Sequence, residues 1–282
     1  MRTATVRFYG PLNDFLPTSR RQVPFVYTFE GGPAVKDAIE ALGIPHPEVD
    51  LVVVNGNPVG FDHRLVDGDR VAVYPLFRSI DLEPVGHLAP RPAEPPLFVL
   101  DTHLGRLAAY LRMLGFDVLY ANMAGDDELA RRASREHRIL LTRDRGLLKR
   151  GIVALGYFVR SDDPRRQLVE IADRFDLRTS MDPFRRCLRC NGRIEPVERA
   201  AIVDQVAPRT LRFYATFGRC DTCGWVYWNG GHHLRMRRFI AQVLGVAASE
   251  RALDESRPRA SSGNYSDLGT TGDPGDDPGQ AG

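Results

Sequence analysis

Two Cys-x-x-Cys motifs constrain this chain more than any other feature. "CLRC-NGRI" supplies Cys187 and Cys190, "CDTC-GWVY" supplies Cys220 and Cys223, and 29 residues lie between the pairs. The 282 residues contain no other cysteine. The N-terminus carries no signal-like apolar run, so the pattern reads as a metal site rather than a disulfide framework. Each second cysteine precedes a small residue, Asn191 or Gly224, which suits the tight turn of a zinc knuckle. Four thiolates at this spacing match a closed, tetrahedral, structural Zn²⁺. Such an ion contributes about 10–16 kcal/mol in small modules and would organise a segment with little core of its own. His232 and His233 follow, but four cysteines already complete the shell, and the histidines read as surface or nucleic-acid contacts. Redox use of either pair is disfavoured, because neither opens a helix after a strand.

The cysteines lie in a basic neighbourhood. Between residues 185 and 238 eleven arginines face four acids, although the whole chain carries only +2. That imbalance points to a polyanionic partner. "GWVYWNGGHH" adds Trp225, Tyr227 and Trp228, and aromatic rings stack on unpaired bases for about 1–3 kcal/mol each. Strand alternation instead assigns Trp225 and Tyr227 to the small core of the ribbon. Lys36 and Lys149 are the only lysines, so nearly every cation is the planar, bidentate guanidinium. With 43% hydrophobic and 26% charged residues, the composition is that of a globular protein. No apolar run reaches the roughly 18 residues of a membrane span, and a cytoplasmic location is the expectation.

The remainder divides by pattern. In residues 1–82, "TATVRFYG" and "VPFVYTFE" read as strands joined by a Pro/Asn/Asp-bearing turn. "PAVKDAIEALG" puts Val35, Ala38, Ile39 and Leu42 on one helical face, with Gly43 as the stop. "DLVVVNGNPV" carries the Asn-Gly of a hairpin, and "DGDRVAVYPLF" closes the set. Strand, strand, helix, strand, strand is the order of a β-grasp domain. Residues 83–96 hold five prolines and read as an extended linker. From 97 to 180, short apolar strands ("LFVLD", "DVLY", "RILLT", "YFVR") alternate with amphipathic helices. That alternation predicts an α/β fold with a parallel sheet covered by helices. Residues 181–246 hold the cysteine segment and a helix, and 247–282 are polar enough to be expected disordered.

Ligands of open parallel sheets gather outside the carboxyl ends of the strands, and acids lie at each such end here. Strand one ends at Asp101, strand two is followed by Asp126 and Asp127, strand three by Asp144, and strand four by Asp162 and Asp163. Carboxylates crowded at one edge repel unless a cation neutralises them. Mg²⁺ or Mn²⁺ suits an all-oxygen site. One or two such ions can activate water and stabilise the leaving oxygen of a phosphodiester. Capping competes with this reading: Asp101, Asp126, Asp144 and Asp163 all precede helices, where an Asp is worth about 1 kcal/mol. The two roles are compatible. Arg106, Arg112, Arg143 and Arg145 flank the acids, either to receive phosphates or to balance the carboxylates; Arg106 and Arg143 lie nearest the proposed edge.

Three quoted stretches, "LFVLDTHLGRLAAYLRMLGFDVLY", "DDELARRASREHRILLTRDRGLLKR" and "RCLRCNGRI…FGRCDTCGWVYWNGGHHLRM", resemble the Mut-seven C-terminal RNase family over residues 97–240. Residues 1–82, with "AIEALGIPHPEVDLVVVNG" and "DGDRVAVYP", resemble the ubiquitin-like β-grasp domain found ahead of it in bacterial members. The resemblance implies a PIN-like RNase domain fused to a zinc ribbon, cleaving RNA with a divalent metal. By motif, the first acid falls on Asp101, the second on Asp127 or Asp126, and the third on Asp144. A fourth falls on Asp162 or Asp163, and the four cysteines take zinc. The β-grasp unit is also similar to small sulfur carriers, but those act through a free Gly-Gly end. Here the chain continues, and a scaffold role or a protein partner is expected instead.

Two classes of function follow. One is a ribonuclease using Asp101, Asp127 and Asp144, with substrate contacts from Arg106, Arg143 and Arg145. The other is a non-catalytic RNA-binding module with a structural zinc, which acids at several strand ends disfavour. A phosphorelay receiver needs paired acids after its first strand, but Leu100 precedes Asp101 and Lys149 comes too early. Haloacid-type phosphatases need Asp-x-Asp, and His103 occupies the second position.

Overall fold

The computed structural model describes residues 1–76 and 87–245. The expected tail at 247–282 and part of the expected linker lie outside them. The chain forms two compact units: Met1–Leu104 with Tyr120–Arg160, and Gly105–Leu119 with the described residues from Ser161 onward.

In the first unit, β1 (Arg2–Phe8) buries the alternate residues Ala4, Val6 and Phe8. It pairs antiparallel with β2 (Phe25–Phe29). The turn expected between them is instead two 3-10 segments, Gly10–Phe15 and Thr18–Arg20, and Leu12, Phe15 and Leu16 from this connection enter the core. Their i, i+3, i+4 spacing is that of one helical face, and the 3-10 turn directs that face inward. Helix α1 (Val35–Ala41) turns Val35, Ala38 and Ile39 inward. β3 (Val49–Val54) and β4 (Asn57–Val59) form the expected hairpin. Asn55 and Gly56 between them sit at φ +52° and +89°, both left-handed, as a type I′ turn requires. With β5 (Arg70–Pro75) the sheet has the order β2-β1-β5-β3-β4. β5 runs parallel to β1 and antiparallel to β3, the mixed pattern of a β-grasp sheet.

The same unit contains parallel strands. β6 (Leu97–Leu100) leads toward α2 (Gly105–Met113) of the second unit. β7 (Asp117–Tyr120) returns to the first unit at Tyr120, whose hydroxyl donates to the Thr102 carbonyl at 2.9 Å. Helix α3 (Asp126–Arg135) packs on β6 and β8 (Ile139–Thr142). A single turn, α4 (Arg145–Leu148), precedes β9 (Gly156–Phe158). β8 pairs in parallel with β6 (Leu100 opposite Leu141) and with β9 (Thr142 opposite Phe158). Every residue of β8 is buried, which explains its unbroken apolar run. Parallel pairing carries the C-terminal ends of β6 and β8 to one edge.

In the second unit, α2 buries Leu107, Ala108 and Leu111 and packs on α5 (Pro164–Phe175). The short α6 (Leu177–Ser180) follows. β10 (Ile194–Pro196), α7 (Pro208–Phe213), β11 (Phe217–Cys220) and β12 (Val226–Trp228) build the ribbon, an antiparallel sheet of order β10-β11-β12. Its core is small: Ile202, Val206, Phe217 and Val226. Helix α8 (Gly231–Leu244) packs on α5. Among the described residues no helix is long and apolar enough to cross a membrane.

Candidate functional site

Asp101 leaves the buried end of β6 and is itself 6% exposed. A buried carboxylate needs donors, and the end of β8 and the segments that follow β6 and β8 supply three among the described residues. The His103 amide donates to Oδ1 at 2.9 Å, the Arg143 amide donates to Oδ2 at 3.1 Å, and the Thr142 hydroxyl donates to Oδ2 in a short contact. The same Thr142 oxygen accepts the Asp144 amide at 2.9 Å. One hydroxyl thus joins the acids that end neighbouring strands. Asp144 is exposed and caps α4 through Oδ1, which accepts the amides of Gly146 (2.6 Å) and Leu147 (3.3 Å). Among the described residues these contacts engage Oδ1 alone, which leaves Oδ2 open to solvent ligands.

Asp126 and Asp127 open α3 and face Arg150. Arg150 Nη1 bonds Asp127 Oδ1 in a short contact, and Nη2 lies 3.8 Å from Asp126 Oδ2. In the second unit Asp163 caps α5, accepting the Arg166 amide at 2.9 Å, and its neighbour Asp162 is exposed. Arg106 is exposed and Arg143 half-buried. Arg145 lies over two rings, 5.0 Å from the Phe15 centroid and 5.3 Å from that of Phe158. Arg112 is buried. It donates to the carbonyls of Val118, Leu188 and Arg189, and so holds the first cysteine knuckle against β7. Asn191 reinforces that grip, accepting the Val118 amide at 2.9 Å and donating to Asp117 at 2.9 Å. The roles of Thr142 and Arg150, and the bonds of Asn191 to β7, are not among the sequence-based expectations. Only Thr142, a hydroxyl at a strand's C-terminal end two residues before Asp144, carries a local signal.

The four cysteines converge fully. Their sulfurs all lie within 4.8 Å of one another, with Cys187–Cys223 at 3.6 Å and Cys190–Cys220 at 3.4 Å. A tetrahedron with Zn–S bonds of about 2.3 Å has edges of about 3.8 Å, so the donor set fits zinc. The knuckles are built by backbone. The Cys187 amide donates to the Gly192 carbonyl at 2.8 Å and the Cys220 amide to the Trp225 carbonyl at 2.9 Å. Asn191 and Gly224 sit at φ +70° and +73°, a conformation these residue types adopt readily. Gly192 has no room for a side chain: a Cβ there would lie 2.5 Å from Thr222 Oγ1 and 2.7 Å from Cys220 Sγ. Desolvation opposes ionisation of Cys187, but hydrogen bonds from the Tyr227 hydroxyl and the backbone at Cys190 and Arg189 outweigh it and bring the thiol down to about 7. Desolvation pushes Cys190 up to about 12, against the Gly192 amide and with help from the neighbouring thiols. Among the described residues this is the one group of three or more His, Cys, Asp or Glu side chains gathered within a metal's reach. Asp101 is linked to Asp144 through Thr142, Asp126 and Asp127 share Arg150, and Asp163 caps its own helix.

The ribbon's aromatics correct the strand-alternation reading. Trp225 is 51% exposed rather than core, and Arg189 lies 4.4 Å over its ring. Val226 takes the inward place, Tyr227 points its hydroxyl at Cys187 and the Leu188 amide, and Trp228 is also exposed. Burial falls steadily along β12, from Val226 through Tyr227 to Trp228, and Trp225 lies outside the strand, so strand alternation does not govern these rings. The His233 ring lies 4.3 Å from that of Phe184, tilted by 52°. Burial lowers the pKa of both His232 and His233, with Arg235 and Arg237 respectively adding to the effect.

No curated protein and no solved structure matches the chain. Family models do. The one described as the Mut7-C RNAse domain matches residues 96–240, and the one described as Mut7-C ubiquitin matches residues 1–81. The first covers half of the sequence, including both cysteine knuckles and the strand-end acids, and on that match the chain belongs to the Mut7-C RNAse domain family, with its ubiquitin-like domain in front.

Proposed function

We propose that this chain is a divalent-metal-dependent ribonuclease centred on Asp101 and Asp144. Membership of an RNase-domain family supports the reaction class. The single observation behind the residue assignment is Thr142, whose hydroxyl ties Asp101 to Asp144 across β6 and β8. Mg²⁺ commonly takes one or two protein carboxylates and completes its octahedron with water and phosphate oxygens, and Mn²⁺ accepts the same donors. Asp101 and Asp144 fit that demand. When bound, the ion would activate water and stabilise the departing oxygen.

The chain's own residues perform the remaining tasks. Three donors fix the plane of the Asp101 carboxylate. Asp144 divides its labour, Oδ1 capping α4 and Oδ2 facing the ligand. Asp127, or its neighbour Asp126, joins as third carboxylate by exchanging Arg150. That swap is cheap at an exposed position, where an ion pair is worth about 0–1 kcal/mol. Asp163, in the second unit, caps α5 through Oδ1 as Asp144 caps α4. Arg143 receives the phosphate, since a guanidinium can hold it by two parallel bonds. Arg145, held against two rings, is assigned to positioning. In the ribbon, four cysteines would hold Zn²⁺, and exposed Trp225 with Arg189 offers a stacking platform for single-stranded RNA.

The test is incubation of the purified full chain with a pool of single-stranded RNA in Mn²⁺ or EDTA, beside Asp144→Asn. Cleavage should require Mn²⁺. It should fall in the variant by more than the roughly 100-fold lost when groups behind a metal ligand are removed, with circular dichroism unchanged. Equal rates for the two proteins would sink the assignment. Salt-sensitive, EDTA-indifferent RNA binding without turnover in any divalent metal would identify a non-catalytic RNA-binding module.

A further inference from the structure

Glu48, in the β-grasp sequence, is only 1% exposed. A carboxylate so buried must be satisfied by protein groups, and the RNase sequence supplies a donor to each of its oxygens. The Phe158 amide donates to Oε1 at 2.7 Å, and Arg160 Nη2 donates to Oε2 at 3.3 Å. β9 is the outermost described strand beside β8. The next amide along, Val159, bonds inward to Thr142, so Phe158 presents its N–H to the open side. Glu48 occupies the place of a missing strand and closes that edge.

Around it the contacts continue. Arg160 Nε donates to Asp14 at 3.1 Å, and its guanidinium lies 5.1 Å from the Phe15 ring. Phe15 meets Phe158 edge-on at 5.6 Å, and Phe158 packs onto the β-grasp core. These two rings also hold Arg145, the first residue of α4 and the neighbour of Asp144. At the other end of α4, Lys149 donates to the Glu40 carbonyl at 2.5 Å. A single four-residue turn has little stability of its own, whereas a metal-binding carboxylate has to be held to within about 0.5 Å.

We propose that the β-grasp domain acts in cis as a positioning element for the Asp144 turn, with Phe15 and Glu48 as its working residues. The functional consequence rests on the reading of Asp144 as a metal ligand; the mechanical part does not. Phe15→Leu keeps the apolar bulk and removes the ring. In the full chain it should speed hydrogen exchange at the amides of Gly146 and Leu147 on the order of tenfold while β1 and β2 exchange as before. With RNA and Mn²⁺, kcat should drop about tenfold, the kind of loss a small misplacement causes, with KM little changed. Glu48→Ala should speed exchange at Phe158, and Glu48→Gln, which retains an acceptor, should restore it. Should Phe15→Leu unfold the sheet, Arg145→Met probes the same contact from an exposed position and should speed the same two amides. Unchanged exchange at Gly146 and Leu147 in the folded variants overturns the proposal. If wild type cuts no RNA, the ribonuclease reading falls, and the exchange data still decide whether the turn is held.

Discussion

The two candidate metal centres differ in how far the polypeptide completes them. Four thiols gather within 4.8 Å, whereas the strand-end carboxylates are distributed onto partners: Asp101 onto Thr142 and amides, Asp144 onto amides, Asp126 and Asp127 onto Arg150. Charge explains the contrast. A neutral thiol can crowd another with little penalty, but two carboxylates 4 Å apart repel by about 4 kcal/mol at an effective dielectric constant of 20. A structural site can therefore be preassembled by backbone knuckles. A site of several carboxylates has to wait for its cation, and in the meantime its members rest on hydroxyls, amides and guanidiniums.

The largest effect expected from this comparison comes from the thiol side. Replacing Cys187 and Cys220 together by Ser should abolish zinc binding and unfold the ribbon, since about 10–16 kcal/mol of metal-coupled folding is lost. Zinc content and the near-UV circular dichroism of Trp225 and Trp228 report it. A ribbon that stays folded without metal would break the comparison. Gly192→Ala tests whether the knuckle is as tightly built as its contacts imply. The new Cβ meets Asp221 Oδ1 at 2.6 Å and Cys220 Sγ at 2.7 Å, and overpacking of this kind costs about 1–3 kcal/mol. Chelator competition should show weaker zinc retention.

Trp225→Ala separates the ribbon's recognition from its stability. RNA affinity, read by fluorescence anisotropy on a single-stranded oligomer, should weaken by about 1–3 kcal/mol, while the melting temperature holds. A stability loss with unchanged affinity would return Trp225 to a packing role. The smallest effect concerns acid. Burial, partly opposed by the Glu40 hydrogen bond, lowers the pKa of His46 from its ordinary 6.5. The unfolded chain takes up the proton first, so the stability due to neutral His46 is complete above 6.5 and is lost as pH falls through the lower folded value. His46→Gln should flatten the fall of melting temperature between about pH 7 and 5.

How much of this was readable depends on range along the chain. "NGNPV" announced its hairpin, "PRRQLVEIADRF" its helix, and the cysteine spacings their knuckles, because each is decided by residues a few positions apart. The connection after β1 was read as a simple turn, yet Leu12, Phe15 and Leu16 are core. Their i, i+3, i+4 spacing is a helical signal, but it is confined to one turn between Pro11 and Pro17, where turn chemistry masks it. Ile202 and Val206 lie outside the ribbon's strands although they fill its core. Arg150 is 23 residues from Asp127, and nothing near either announces the other.

The sequence by itself determined the α/β alternation, the β-grasp order of elements, the thiol donor set and the acids at the strand ends, all of which follow from period, turn chemistry and spacing. Tertiary structure alone decided which donors each acid rests on, which face of the ribbon leaves Trp225 exposed, and that Glu48 closes the edge of β9. The physical reason is that hydrogen bonds and ring contacts act over a few ångströms in space, and the chain brings residues more than a hundred positions apart to that distance only by folding.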